Sequence, residues 1–273
     1  MEEGFKSCGS TIIHSQWLLT AAHCLFNFFR PIVPNAPVWV VLGVDDVTDT
    51  ENMPKKDNKL PRVDLTHCHP NYSHTLVGPP EIGQRELSVN DICMLRVDHD
   101  IEFGTYINKA TLPWTAYDKV ITDNQLLISG YGGSRVQYNF SDWDLVPSDK
   151  LLSTRLKLLD NKECVLLFRD PDPRYPDTYD PTYEFCAKSP DEVIRSGCLG
   201  DSGGGGIYTD SITGCPVIVG VLVAGSSGDC DGATQFVSVS FYRDWIEQTI
   251  ERFSRPRDGS GIEYTYPERN KLD

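Results

Sequence analysis

The chain has 273 residues, enough for two cores or one large all-β unit, and its 40% hydrophobic and 23% charged composition excludes a chain that is disordered as a whole. With 39 acidic residues against 25 Lys and Arg, the net charge of −14 disfavours nucleic acid or an anionic membrane as partner, because both need a basic face. No stretch is apolar for long enough to span a bilayer.

Met1-Glu2-Glu3-Gly4 is acidic and no apolar run follows it, so no secretory leader is read there and the start reads as incomplete. Short runs rich in Val, Ile and Leu between Gly, Pro, Asn and Asp clusters predict strands at 12–13, 38–42, 92–97, 126–129 and 217–223. That spacing predicts an all-β sandwich or barrel. Residues 76–89 read as a long connection just before Asp91, and 169–183, dominated by Pro, Asp and Tyr, as a surface loop of unusual length. From 240 to about 253, Phe241, Trp245, Ile246, Thr249 and Ile250 recur at helical spacing, which predicts one C-terminal helix. Residues 254–273 are polar with Gly and Pro and read as a mobile tail.

Nine cysteines at long spacings, with no CxxC pair, point to disulfides and an oxidising, secreted setting rather than to a zinc site. Asn71-Tyr72-Ser73 and Asn139-Phe140-Ser141 are N-glycosylation acceptor patterns that agree with that setting. His67 and His69 flank Cys68, but alternate residues of a strand face one way and Cys68 the other, so no metal is expected there. The acidic stretch 45–51 lacks the EF-hand arrangement, and no cofactor is expected.

The chemistry gathers at Ser196-Gly197-Cys198-Leu199-Gly200-Asp201-Ser202-Gly203-Gly204, where a serine sits among glycines on a tight turn. Serine is a weak nucleophile, so this reading needs a general base and a third group that orients the base. Thr20-Ala21-Ala22-His23-Cys24 supplies a candidate base and Asn90-Asp91-Ile92 a candidate orienter. The three stretches, in the order His, Asp, Ser, resemble the signature motifs of the chymotrypsin/trypsin-like serine proteases. Cys8-Gly9-Ser10-Thr11-Ile12-Ile13, Trp17-Leu18-Leu19-Thr20, His69-Pro70-Asn71-Tyr72, Ser129-Gly130-Tyr131-Gly132, Phe185-Cys186-Ala187 and Trp245-Ile246 match further landmarks of that family, so the resemblance runs from about 7 to 253.

The resemblance implies an all-β fold of two antiparallel six-stranded Greek-key barrels with a C-terminal helix, the first strand of barrel one being absent. Barrel one would cover about 1–113, barrel two about 114–239, the helix about 240–253, and a polar tail 254–273. It implies a serine endopeptidase in which Ser202 attacks, His23 moves the proton and Asp91 orients His23. The N–H groups of Gly200 and Ser202 would form the oxyanion hole. In the family, Asp201 pairs with a new terminal ammonium released before an Ile-Val-Gly-Gly segment. No such segment occurs here, so the chain as it stands is expected to be inactive or very weak.

For the primary pocket the resemblance points to Ser196 at the base, with Gly225, Thr234, Val223 and Ala224 around it. Without a carboxylate at 196, small or medium uncharged residues are expected rather than Arg or Lys. Val44 stands where calcium-binding members offer an acid. The family's disulfides map to Cys8–Cys24, Cys164–Cys186 and Cys198–Cys230. Cys68 and Cys93 would lie on adjacent strands, which allows a fourth bridge and leaves Cys215 odd. A polypeptide substrate, protein inhibitors and a monomeric, secreted enzyme follow from the same resemblance. A protease-like binding or regulatory module with little or no turnover remains the alternative. An α/β-hydrolase esterase fits poorly, because the motif order and the flanks of the serine are wrong for it.

Overall fold

The computed structural model describes residues 7–27, 30–31, 37–49, 60–115, 125–137, 143–191, 195–227 and 230–256. The acceptor pattern at Asn139 and the tail beyond 256 lie outside the described residues.

The chain is mostly strand. In the first half come β1 (Thr11–His14), β2 (Trp17–Thr20), β3 (Phe26–Asn27), β4 (Arg30–Pro31), β5 (Val63–Cys68), β6 (Ser73–Val77), β7 (Arg85–Val89) and β8 (Cys93–Val97). In the second half come β9 (Gln125–Gly130), β10 (Gly133–Gln137), β11 (Trp143–Pro147), β12 (Leu152–Leu158), β13 (Glu184–Lys188), β14 (Gly205–Thr209), β15 (Pro216–Gly225) and β16 (Thr234–Ser238). Two α-helices, α1 (Asn161–Phe168) and α2 (Arg243–Phe253), complete the described elements together with short 3-10 turns.

Strands β12-β13-β16-β15-β14-β9 close into a six-stranded antiparallel barrel. The first half forms a four-stranded sheet, β1-β2-β8-β5, with β3–β4 and β6–β7 as separate hairpins. Its expected closure is not seen among the described residues, and the expected strand at 38–42 is reduced to one bridge between Trp39 and Arg62. The N–H of Val40 donates to the carbonyl of Pro61 at 2.9 Å, but Pro61 has no N–H to return a bond, so the ladder stops there.

Further expectations change. Residues 76–89 are not an open connection: Ser73–Val77 and Arg85–Val89 pair in register, Ser73 with Val89 through Val77 with Arg85. Ser254 and Arg255, expected to be mobile, are held: Trp17 Nε1 donates to the Ser254 hydroxyl at 2.9 Å and Arg255 bridges to Asp64 at 2.9 Å. The C-terminal helix starts at Arg243 rather than at 240, and α1 comes in addition, capped by the Asp160 carboxylate on the N–H of Glu163 at 2.8 Å.

One apolar cluster joins the two halves. Ile13, Trp17, Leu19 and Met94 from the first sheet pack against Ile218, Val221 and Val237 of the barrel and Tyr242 and Ile246 of the C-terminal region. Trp17 is fully buried, and burying such a side chain stabilises the fold by about 1.5–3 kcal/mol. The crossing segment is stitched to both sides, the N–H of Ala110 to Ile12 and that of Thr111 to Pro216, each at 2.8 Å. Four disulfides are present, Cys8–Cys24, Cys68–Cys93, Cys164–Cys186 and Cys198–Cys230, and Cys215 is an exposed free thiol.

Candidate active site

His23 lies on the 3-10 turn Ala22–Leu25, directly after β2, and Asp91 lies just before β8, the strand paired with β2. Asp91 is 3% exposed and holds His23 twice: its Oδ1 accepts the main-chain N–H at 2.8 Å and its Oδ2 stands 2.7 Å from ring Nδ1. A carboxylate can only accept, so this contact calls for a proton on Nδ1. Asn90 reaches this corner with φ +53, a left-handed conformation that Asn tolerates better than most residues. Its side chain is held at both ends, Nδ2 donating to Asn71 O and Oδ1 accepting from the Tyr242 hydroxyl, each at 3.0 Å.

The serine turn docks onto the His23 turn through backbone. The N–H of Gly9 donates to Ser202 O at 2.7 Å, Thr20 Oγ1 donates to Gly9 O at 2.9 Å, and the Cys8–Cys24 disulfide fastens the same segment beside His23. Gly203 has φ +85, and any side chain there would run into the Gly9 carbonyl and the Thr20 hydroxyl. Glycine after the serine is therefore a steric requirement of the docking.

Upstream, the N–H of Asp201 donates to Cys198 O at 2.9 Å, closing a turn whose third residue, Gly200, has φ +99, as a type II turn demands. Among the described residues no main-chain acceptor is found for the N–H groups of Gly200 and Ser202. Asp201 turns inward. Its Oδ1 accepts the N–H of Gly132 and its Oδ2 that of Cys198, both at 2.9 Å, and no described cation pairs with it. Burial pushes its carboxyl up, against the two N–H bonds that hold it down. Side chains at Gly130 or Gly132 would collide with this carboxylate, which explains both glycines of Ser129-Gly130-Tyr131-Gly132. A cavity of about 340 Å³ opens beside it, with Ser196, Cys198, Leu222 and Cys230 in its wall and exposed Arg195 at its edge.

The expected pocket residues lie close together but only Ser196 borders that cavity. Ser196 Oγ donates to Cys230 O at 2.5 Å, and fully buried Thr234 accepts the N–H of Gly197 at 3.0 Å and pairs across the sheet with Gly225. Both hydroxyls are thus engaged by main chain. Val223 packs into the shared core, whereas Ala224 and Gly225 are exposed. Leu222 ties β15 to the serine turn, accepting from Gly203 N at 2.7 Å and donating to Gly204 O at 2.9 Å. Past Leu222, β15 keeps β16 as its only described strand partner, so the edge at 223–225 is unpaired among the described residues, next to the serine turn.

Cys68 is in its disulfide while His67 and His69 pack on Trp245, with ring centroids 5.9 and 5.3 Å apart. Sequence reasoning missed Asn90 and Tyr242 as supports of Asp91; the signal available was an Asn immediately before the acid, a residue that accepts positive φ.

The family model described as Trypsin matches residues 1–246. The chain is 24% identical over 250 residues to mast cell protease 3 of Ovis aries, covering 90% of this chain and 79% of that protein. It is 25% identical over 254 residues to CLIP domain-containing serine protease B15 of Anopheles gambiae, covering 90% of this chain but 62% of that longer protein. The barrel, the four disulfides and a family match over nearly the whole described chain agree, and the protein belongs to the trypsin family of serine proteases.

Proposed function

We propose that the chain is a serine endopeptidase in which Ser202 is the nucleophile, His23 the general base and then acid, and Asp91 the group that orients His23. The observation that carries this reading is the double hold of Asp91 on His23, through its main-chain N–H and its ring Nδ1. Nε2 takes the Ser202 hydroxyl proton as Oγ bonds to the substrate carbonyl carbon, and returns it to the leaving amine. Water then repeats the cycle and releases the acyl group.

The N–H groups of Gly200 and Ser202 receive the charge that develops on the carbonyl oxygen. Each such donor is worth about 2.7–4 kcal/mol in the transition state. The substrate backbone adds as a strand to the open edge at 223–225. Pocket residues Ser196 and Thr234 bring no charge, which supports small or medium uncharged side chains next to the scissile bond. Asp201 holds the turn from behind, and full turnover requires a cation in the adjacent cavity to compensate its buried charge.

A fluorophosphonate probe tests the reading: labelling at Ser202 that disappears in His23→Ala supports it, and labelling that persists in His23→Ala refutes it.

A further inference from the structure

A second cavity, of about 520 Å³, has walls that include none of the serine turn or the His23 corner. It falls in the size range of ligand pockets, roughly 300–1,000 Å³. Glu184 lines it from beneath, only 4% exposed, whereas Trp114 and Phe241, 69% and 52% exposed, stand at its rim with exposed Pro181.

The carboxylate brings a charge that no described cation cancels. Glu184 Oε2 accepts the N–H of Asp180 at 2.7 Å, which closes the turn leading into β13. Burial pushes its carboxyl up to about 7, and the charges of Asp180 and Asp91 act in the same direction. Among the described residues of the wall, Arg243 is the only cation, and it is fully engaged. Its Nε and Nη2 donate to Glu247 Oε1 at 2.8 and 2.7 Å, and Nη1 donates to Pro113 O at 2.6 Å. The same guanidinium lies 4.1 Å from the centre of the Trp114 ring, so it holds that ring at the rim. Tyr183 and Phe241 pack with ring centroids 5.7 Å apart, and Phe241 meets buried Tyr242 edge-on at 5.0 Å.

A buried carboxylate under an aromatic rim suits a basic group on an apolar stem, because ring faces attract cations and pack against methylenes. A metal ion fits poorly, since hard cations need several oxygen ligands and Glu184 is the only carboxylate in the described wall. The net charge of −14 draws basic partners toward the molecule. Exposed Trp114 and Pro181 extend the apolar contact past a single side chain, which favours a residue within a polypeptide over a free amine.

We propose that this cavity is a docking site for a basic polypeptide segment, which inserts a lysine side chain past the rings of Tyr183 and Phe241 toward Glu184. The site lies apart from the serine turn and requires no turnover at Ser202.

The test uses the full chain carrying Ser202→Ala. A fluorescein-tagged hexapeptide with one central lysine and its norleucine counterpart are titrated by fluorescence anisotropy. The lysine peptide is expected to bind at least about five-fold more tightly at about pH 8. Its binding is expected to tighten about ten-fold from about pH 6 to about pH 8, as a carboxyl titrating near 7 ionises while the lysine stays protonated. Burial holds the neighbouring Tyr183 phenol up at about 12 and pushes that of Tyr242 higher, so neither titrates in this interval. Asp180 and Asp91 also face Glu184, and Glu184→Gln separates its titration from theirs. That variant is expected to bring the two peptides within about two-fold of each other and to flatten the pH profile. Phe241→Ala, at an exposed position, is expected to weaken the lysine peptide at least about three-fold, and it decides the question if Glu184→Gln does not fold.

Equal binding of the two peptides overturns the proposal, as does the absence of binding by either or a lysine preference that survives Glu184→Gln. n-Butylammonium is expected to displace the lysine peptide only at least about ten-fold above the peptide's Kd, and displacement at that Kd assigns the site to free amines and overturns polypeptide docking. Fluorophosphonate labelling of chains that retain Ser202 reports the peptidase reading separately. Labelling without a lysine preference removes docking alone, and a Glu184-dependent preference without labelling removes turnover alone.

Discussion

The hydroxyl of Tyr242 donates to the side-chain oxygen of Asn90 at 3.0 Å, linking the start of the C-terminal helix to the residue before Asp91. Tyr242 is 2% exposed, and Asn90 holds φ +53, so this corner is fixed by a buried bond in a conformation that costs energy to adopt. A residue 152 positions away in the chain thereby braces the residue immediately before Asp91.

Tyr242→Phe keeps the packed ring and removes only the hydroxyl. The expected loss is about 1 kcal/mol of stability, the typical net worth of one such bond. If Asp91 positioning depends on Asn90, kcat falls several-fold while KM holds, because orientation of the base matters most in the transition state. Chemical unfolding and steady-state kinetics read the two effects separately, and a rise in KM at constant kcat counts against the positioning role.

Gly203→Ala is expected to be far more damaging than its size suggests. The residue sits at φ +85, and a methyl group would meet the Gly9 carbonyl that helps dock the serine turn. Left-handed backbone alone costs a non-glycine residue roughly 1–2 kcal/mol, and displacement of the turn adds to it. Fluorophosphonate labelling should drop by at least about a hundred-fold, in the range seen when a transition-state donor is lost. Near-wild-type labelling would mean that the turn has room to move.

Legibility in the sequence followed the apolar pattern. β8 and β15 were readable because Ile92 to Leu95 and Val217 to Val223 are apolar runs, broken in the first case only by Arg96 before Val97, and most of these residues lie in the core. The β6–β7 hairpin was not, since Ser73–Val77 and Arg85–Val89 are exposed on much of their surface and carry His, Arg and Glu where alternation would need apolar residues. For α1 a signal existed and went unused: Asp160 followed three residues later by Glu163, an N-cap arrangement. His23, Asp91 and Ser202 stood out because each is embedded in a local motif. The supports of that corner were hidden, because Asn71, Asn90 and Tyr242 meet only after folding and no local pattern joins them.

The Cys68–Cys93 bridge links β5 to β8, with Cys93 two residues beyond Asp91. Replacing both cysteines with alanine releases a cross-link spanning 25 residues, with an expected loss of about 2–4 kcal/mol. Because β2 still pairs with β8 through Thr20 and Cys93, the His23 corner should re-form in the folded fraction. The variant is therefore expected to unfold at lower denaturant while labelling normally at Ser202 under native conditions. Loss of labelling without loss of stability would reverse that assignment.

Stability should peak at mildly acidic to neutral pH, because two sets of buried groups titrate in opposite directions. Burial raises the Glu184 carboxyl from an ordinary 4.5 to about 7, against bonds from Asp180 and Gln235, and the charges of Asp180 and Asp91 push the same way as burial. An acid with a raised folded pKa contributes stability that is whole below 4.5 and is lost as pH rises through about 7. The full span corresponds to roughly 3 kcal/mol. His67 and His69 behave in reverse: burial lowers both from 6.5, with Arg252 adding to the effect at His67, so their neutral rings stabilise the fold above 6.5 and that contribution fades as pH falls. These rings pack on Trp245, which makes the acid loss local to the C-terminal helix. Urea unfolding of Glu184→Gln should show a shallower decline than the unaltered chain between pH 5 and pH 8, the amide replacing a carboxylate that is costly to ionise. Identical slopes for the two proteins across that interval would place the alkaline loss on another group, with the raised carboxyl of Asp201 the next to substitute.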